Sequence, residues 1–185
     1  HAVYPETNAS AAMLKLTKSV KEKYIVYTGD DDFLIPNSLK KCVSFLEENP
    51  AYTTAHGNGL VYQMKGDDVF GPIKSLGYYP LKDSENENPK DRLTCFLSDY
   101  WVPEFSVRLT KNHVLACKYR NSIQDSGFTE ITTCCLTILQ GKSKKIDCLY
   151  LIREVHNDRN QGRGGILKWI TYNEWYPAFE IFREG

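Results

Sequence analysis

The stretch Tyr27-Thr-Gly-Asp-Asp-Asp-Phe-Leu-Ile-Pro36 constrains this chain most, because three acidic residues in a row follow an apolar run, Tyr24 to Tyr27, that reads as a buried strand. Asp is a poor strand former, and adjacent like charges repel. The arrangement demands a nearby positive charge. Directly after it, Pro36 and Asn37-Ser38 supply helix-start chemistry, and Leu39, Cys42, Val43 and Leu46 recur at helical spacing until Asn49-Pro50 stops the pattern. Tyr52 to His56 reads as a second strand and Leu60 to Gln63 as a third, with Gly57 and Gly59 loosening the chain between them. Strand, acidic turn, helix and strand form a βαβ-like unit, so the expected fold class is α/β.

Elsewhere, helices are expected over Ser10 to Val20, Asp91 to Tyr100, Lys111 to Tyr119 and Phe128 to Gln140, the last closed by Gly141. Strands are expected in Glu104 to Leu109 and Ile146 to Ile152, and an aromatic closing helix from Ile166 to Phe182. Lys65 to Lys90 is polar and rich in Gly, Pro and Asn, which reads as a long surface excursion. With 185 residues, 42% hydrophobic and 25% charged, the chain suits one domain with a real core, spanning residues 1–185. Its 23 Lys and Arg cancel 23 Asp and Glu, so no net field draws it to nucleic acid, which is set aside as a main partner. The six cysteines lack zinc-site spacing, and most of them read as reduced core thiols in a cytoplasmic protein. No run of about 18 apolar residues exists to span a bilayer, so any membrane association is expected to come through partners. The chain does not open on Met, and it is expected to be either a piece of a longer protein or a processed form.

Three carboxylates within one turn would raise each other's pKa if left bare, and a divalent cation removes that penalty. Hard oxygen ligands suit magnesium or manganese, and magnesium uses only one or two protein carboxylates while phosphate oxygens fill its other positions. At the carboxyl end of a strand in an open sheet, where ligands bind, the expected ligand is a metal–diphosphate pair. The alternative is that the Asp residues cap the helix beginning near Pro36, for which one would suffice.

The segment "YIVYTGDDDFLIPNSLKKCVSFLEENP" resembles the central part of GT-A fold glycosyltransferases, in particular the family-two-like inverting enzymes, and within them bacterial glycosyltransferase-domain proteins with a "DDDF" motif. The preceding "NASAAMLKLTKSV" is similar to the helix those enzymes place before this strand. The resemblance implies an open mixed sheet flanked by helices, lacking here its N-terminal strands. It further implies transfer of a sugar from a nucleotide-sugar donor to a saccharide, lipid-linked or protein acceptor, with Mn2+ or Mg2+ bridging the aspartates and the diphosphate.

Matched residue by residue, Asp30 and Asp32 take the two metal-binding positions, with Asp31 between them as a further candidate for the metal and donor. "QDSGFTEITTCCLTILQGK" is similar to the family's late helix, where Glu130 matches the first acidic position and Ile131 stands at the second, so Glu130 and Asp125 are rival general bases. For Glu130 the alternative is a first-turn acidic residue that favours the helix dipole. His156 takes the place of a late metal-binding His and hints at manganese, while Arg153 and Arg159 beside it can pair with diphosphate oxygens. His56 and His113 read as structural, Tyr100, Trp101 and Phe105 as core or an acceptor platform, and "GRGG" at 162–165 as a lid. Two rival functions remain: a non-catalytic GT-A-like module that binds a sugar or nucleotide, and a metal-dependent phosphohydrolase. Under the metal reading, Asp32→Ala is expected to abolish activity with little loss of folding.

Overall fold

A computed structural model describes residue 5 and residues 7–66, 71–123, 125–155 and 170–184. The first helix, α1 (Ala9–Ser19), is started by Asn8, whose side chain accepts from the Ala11 amide at 2.9 Å. β1 (Tyr24–Ile25) and β2 (Asp32–Leu34) follow, then α2 (Pro36–Glu48), which carries Pro36 in its first turn and buries Cys42 and Leu46. β3 (Tyr52–Met64) and β4 (Ile73–Tyr79) come next, then α3 (Pro89–Ser98) and a 3-10 turn at Pro103–Phe105. β5 (Val107–Leu109), α4 (Thr110–Ser122), α5 (Ser126–Leu139), β6 (Lys142–Glu154) and α6 (Trp175–Glu184) complete the order.

The six strands make one mixed sheet in the order β1-β5-β3-β6-β2, with β4 on β3 beyond β5. Its centre is the parallel pair β3–β6, matched from Tyr52 with Lys142 to Tyr62 with Glu154. β5 lies antiparallel between β1 and β3, so β1 and β3 run parallel without touching. The α/β class is as expected, an open sheet flanked by helices. Cys42, Leu46, Ala55, Phe96, Trp101, Phe105, Cys134, Ile138, Tyr150 and Leu151 form the main core, and α6 packs Ala178, Trp175, Phe179 and Phe182 against Ile123 and Phe128.

Several local expectations change. The run from Tyr24 is a strand for two residues only, because its partner β5 is short, and residues 26–31 instead carry the chain across the sheet to β2 at the opposite edge. The two strands expected at 52–56 and 60–63 are the single strand β3. Gly57 does not loosen it: a Cβ there would lie 2.4 Å from the Cys148 carbonyl oxygen, so glycine admits the close approach of β6. The polar excursion contains β4, whose residues pair with β3 from Gly59 to Met64. Gln140 in right-handed helical conformation, not Gly141, ends α5.

Buried polar groups tie the helices to the sheet. The Arg92 guanidinium donates to the Ile138 and Leu139 carbonyls at 2.9 and 3.0 Å and so caps the C-terminus of α5. Arg108, also buried, donates to Thr137 Oγ1 at 3.0 Å and to the Pro103 carbonyl at 2.6 Å. His56 packs on Trp101 with its ring nitrogens beside the Gly57 and Lys82 carbonyls. Of the cysteines, Cys42, Cys117, Cys134 and Cys135 are buried, and all six are free thiols. No described helix is long and apolar enough to cross a membrane.

Burial pushes His56 down to about 4, against the two carbonyls, and burial with Arg108 and Arg120 nearby pushes His113 down to about 3. The unfolded chain, with ordinary imidazoles, binds the extra protons first as pH falls below about 6.5. The stabilisation is therefore full above about 6.5 and is lost towards about 4. Between about pH 7.5 and about pH 5, stability should drop by on the order of 2 kcal/mol per histidine. Urea midpoints at the two pH values check this, and His113→Gln should make the drop smaller.

Candidate functional site

β2 pairs antiparallel with the end of β6, which sets Asp32 opposite Arg153, Phe33 opposite Ile152 and Leu34 opposite Leu151. Directly opposed residues share a face of the sheet. Arg153 Nε donates to Asp32 Oδ1 at 3.0 Å and to Oδ2 at 3.2 Å, and Nη1 donates to the Tyr79 hydroxyl at 3.1 Å. The guanidinium lies 4.2 Å from the centre of the Phe105 ring and 5.0 Å from that of Tyr79. Burial opposes its charge, but Asp32 and Tyr79 hold its pKa above the ordinary arginine value. The positive charge that the acidic stretch demands is thus Arg153.

Asp30 and Asp31 form the turn before β2, Asp30 exposed and Asp31 half-buried. A Cβ on Gly29 would meet Asp31 Oδ1 at 2.6 Å and Asp32 Oδ2 at 3.1 Å, so both carboxylates fold back over this glycine, which nothing in the sequence pattern singled out. The turn sits at the carboxyl end of the parallel pair β3–β6, where open α/β sheets place ligands.

A divalent ion held jointly by Asp30 and Asp32 does not fit this arrangement. The Asp32 side chain is 1% exposed, both its oxygens contact Arg153, and taking it as a ligand would strand a largely buried guanidinium. Among the described residues, no group of three or more His, Cys, Asp or Glu side chains converges, so no metal cage built from protein ligands alone is formed there. His156 and Arg159, expected to complete the metal and donor sites, lie outside the described residues, as do residues 162–165.

The rival bases have different surroundings. Asp125 is the N-cap of α5, its Oδ1 accepting from the amides of Gly127 at 2.8 Å and Phe128 at 2.9 Å. Glu130 lies in the second turn rather than the first, so the helix-dipole account does not describe it. Its Oε1 accepts from the Tyr100 hydroxyl at 2.8 Å. Burial raises the Tyr79 hydroxyl, Arg153 opposes this, and nearby Glu130 adds to it. Burial likewise pushes the Tyr100 hydroxyl far up, with Cys134 and Glu130 contributing.

The sequence reading missed Glu104. It sits buried in the 3-10 turn, paired with Arg120 Nη1 at 2.9 Å, and burial raises its carboxyl although Arg120 and Arg108 pull it down. Glu130 also acts on it, and Tyr27 feels Glu104, Asp32 and Asp30 after the larger effect of burial. The available signal was a single acidic residue inside the apolar run Trp101 to Val107. Trp101 and Phe105 are core residues, whereas Tyr100 supplies the hydroxyl on Glu130. One pocket, of about 300 Å³, lies instead between Lys82, Glu85, Asp99 and Trp101.

Compared with models of protein families and with curated proteins, the chain matches none.

Asp32→Ala should destabilise the fold by ~3 kcal/mol, because it leaves the Arg153 charge buried without its partner, while exposed Asp30→Ala should stay within ~0.5 kcal/mol. This reverses the expectation that Asp32 can be removed with little loss of folding. Urea unfolding of the two variants checks it.

Proposed function

We propose that the chain is a GT-A-like glycosyltransferase domain that moves a sugar from a nucleotide-diphosphate donor to an acceptor hydroxyl with inversion. The observation that supports this most is that Arg153 bonds both Asp32 and the Tyr79 hydroxyl, and that this hydroxyl also feels the charge of Glu130, about a hundred residues from the acidic stretch in sequence. The reading also draws on the position of that turn at the carboxyl end of β3 and β6.

In this reading Glu130 is the general base. It takes the proton of the acceptor hydroxyl, whose oxygen forms the new bond to the anomeric carbon as the bond to the diphosphate breaks and its electron pair leaves with the phosphate. Tyr100 orients the Glu130 carboxylate through its 2.8 Å hydrogen bond. Asp125 is assigned to holding the helix start, and Asp30 and Asp31, the less buried of the three aspartates, to accepting from hydroxyls of the donor's sugar or ribose. No step is routed through a metal ion, because Asp32 is held by Arg153.

Incubating the chain with UDP- and GDP-sugars and a mixed set of acceptors should release nucleoside diphosphate together with a glycosylated product. Glu130→Gln should lower turnover by roughly 10²-fold or more with little effect on nucleotide affinity. Nucleotide binding without transfer would favour the non-catalytic module, and release of inorganic phosphate would favour the phosphohydrolase.

A further inference from the structure

A diphosphate leaving group carries negative charge that grows as the sugar departs, and a site must hold a cation against it. A guanidinium offers five N–H groups in a rigid fork suited to phosphate oxygens. In this chain Nε is on Asp32 and Nη1 is on Tyr79, while Nη2 makes no hydrogen bond among the described residues. The side chain keeps 16% exposure, and Nη2 is not among the buried side-chain nitrogens that lack a partner, so it retains access to solvent and to a ligand. The Phe105 and Tyr79 rings at 4.2 and 5.0 Å and the Tyr79 hydroxyl fix the group before any ligand arrives.

We infer that Arg153 is the resident cation of this site, and that the chain binds the diphosphate of its donor through Arg153 without a divalent metal ion. The inference rests on the glycosyltransferase reading and specifies how its donor is held. Asp32 is then the counter-ion that positions the guanidinium rather than a metal ligand. Because Asp32 is also an anion beside the diphosphate, its charge opposes binding while its oxygens aim the fork. A metal-ligand role and a positioning role therefore predict opposite signs for the same substitution.

Asp32→Asn keeps the size of the side chain and an oxygen to accept from Arg153 Nε, but removes the charge. Calorimetric titration of UDP and of GDP into the full chain, once in EDTA and once in manganese, tests the assignment. The wild-type Kd should agree within about threefold between the two conditions, and Asp32→Asn should tighten binding by roughly threefold or more in EDTA. Adding Arg153→Gln to that variant, so that no charge is left unpaired, should weaken binding by roughly tenfold or more. Circular dichroism on each variant confirms that it is folded.

Binding that requires manganese and is abolished by Asp32→Asn would overturn the inference and leave the glycosyltransferase reading standing. Binding unchanged in the double variant would also overturn the inference. Failure of UDP and GDP to bind under either condition would overturn both.

Discussion

The pair between Asp32 and Arg153 is the constraint around which this structure is arranged. Moving two charges out of water costs several kcal/mol per ion, and their mutual attraction offsets this only with good geometry, so such a pair adds little net stability. Removing one partner is another matter, since the other is left charged and dry. That asymmetry makes the pair a marker of register. A one-residue slip of β2 along β6 would turn Asp32 to the opposite face and away from Arg153. The same contact requires residues 26–31 to cross the sheet to its far edge, which is why the acidic stretch opens a new strand instead of closing the first.

From this pair the surroundings follow in layers. Arg153 is held by the hydroxyl of Tyr79 at the end of β4 and lies over the ring of Phe105 in the 3-10 turn. Glu104, beside Phe105, is buried against Arg120 of α4. Glu130 reaches the same neighbourhood from α5, a helix held at its start by the Asp125 carboxylate and at its end by the Arg92 fork. A carboxylate on a helix secured at both ends keeps its place relative to the sheet, and a reacting group needs that. The positioning groups thus come from β2, β4, β6, the 3-10 turn and three helices, none of which holds the site alone.

Local patterns in the sequence were a sound guide to the helices. The Leu39, Cys42, Val43, Leu46 spacing marks α2 within a residue of its observed limits, and the runs before Val20, after Asp91 and after Phe128 mark α1, α3 and α5. Strands were less legible. β3 was divided at its glycines, because a glycine that admits a neighbouring backbone and one that breaks a strand look the same in sequence. β4 was hidden in a polar stretch, since its residues are almost all exposed and lack a buried alternation. Within the site, Asp125 and Glu130 look like equivalent candidates in sequence, yet one caps a helix and the other receives a tyrosine hydroxyl.

The sequence by itself determined the α/β class, the helix periods and the need for a positive charge beside Asp30, Asp31 and Asp32, because these depend on neighbours a few residues apart. It could not determine what that charge is. Arg153 meets Asp32 only because β2 pairs antiparallel with the end of β6 at the far edge of the sheet, a contact between residues 121 positions apart. Strand order and register are properties of the whole sheet, set by which faces are buried together. Only the tertiary structure could therefore decide that an arginine stands where the local chemistry suggested a metal.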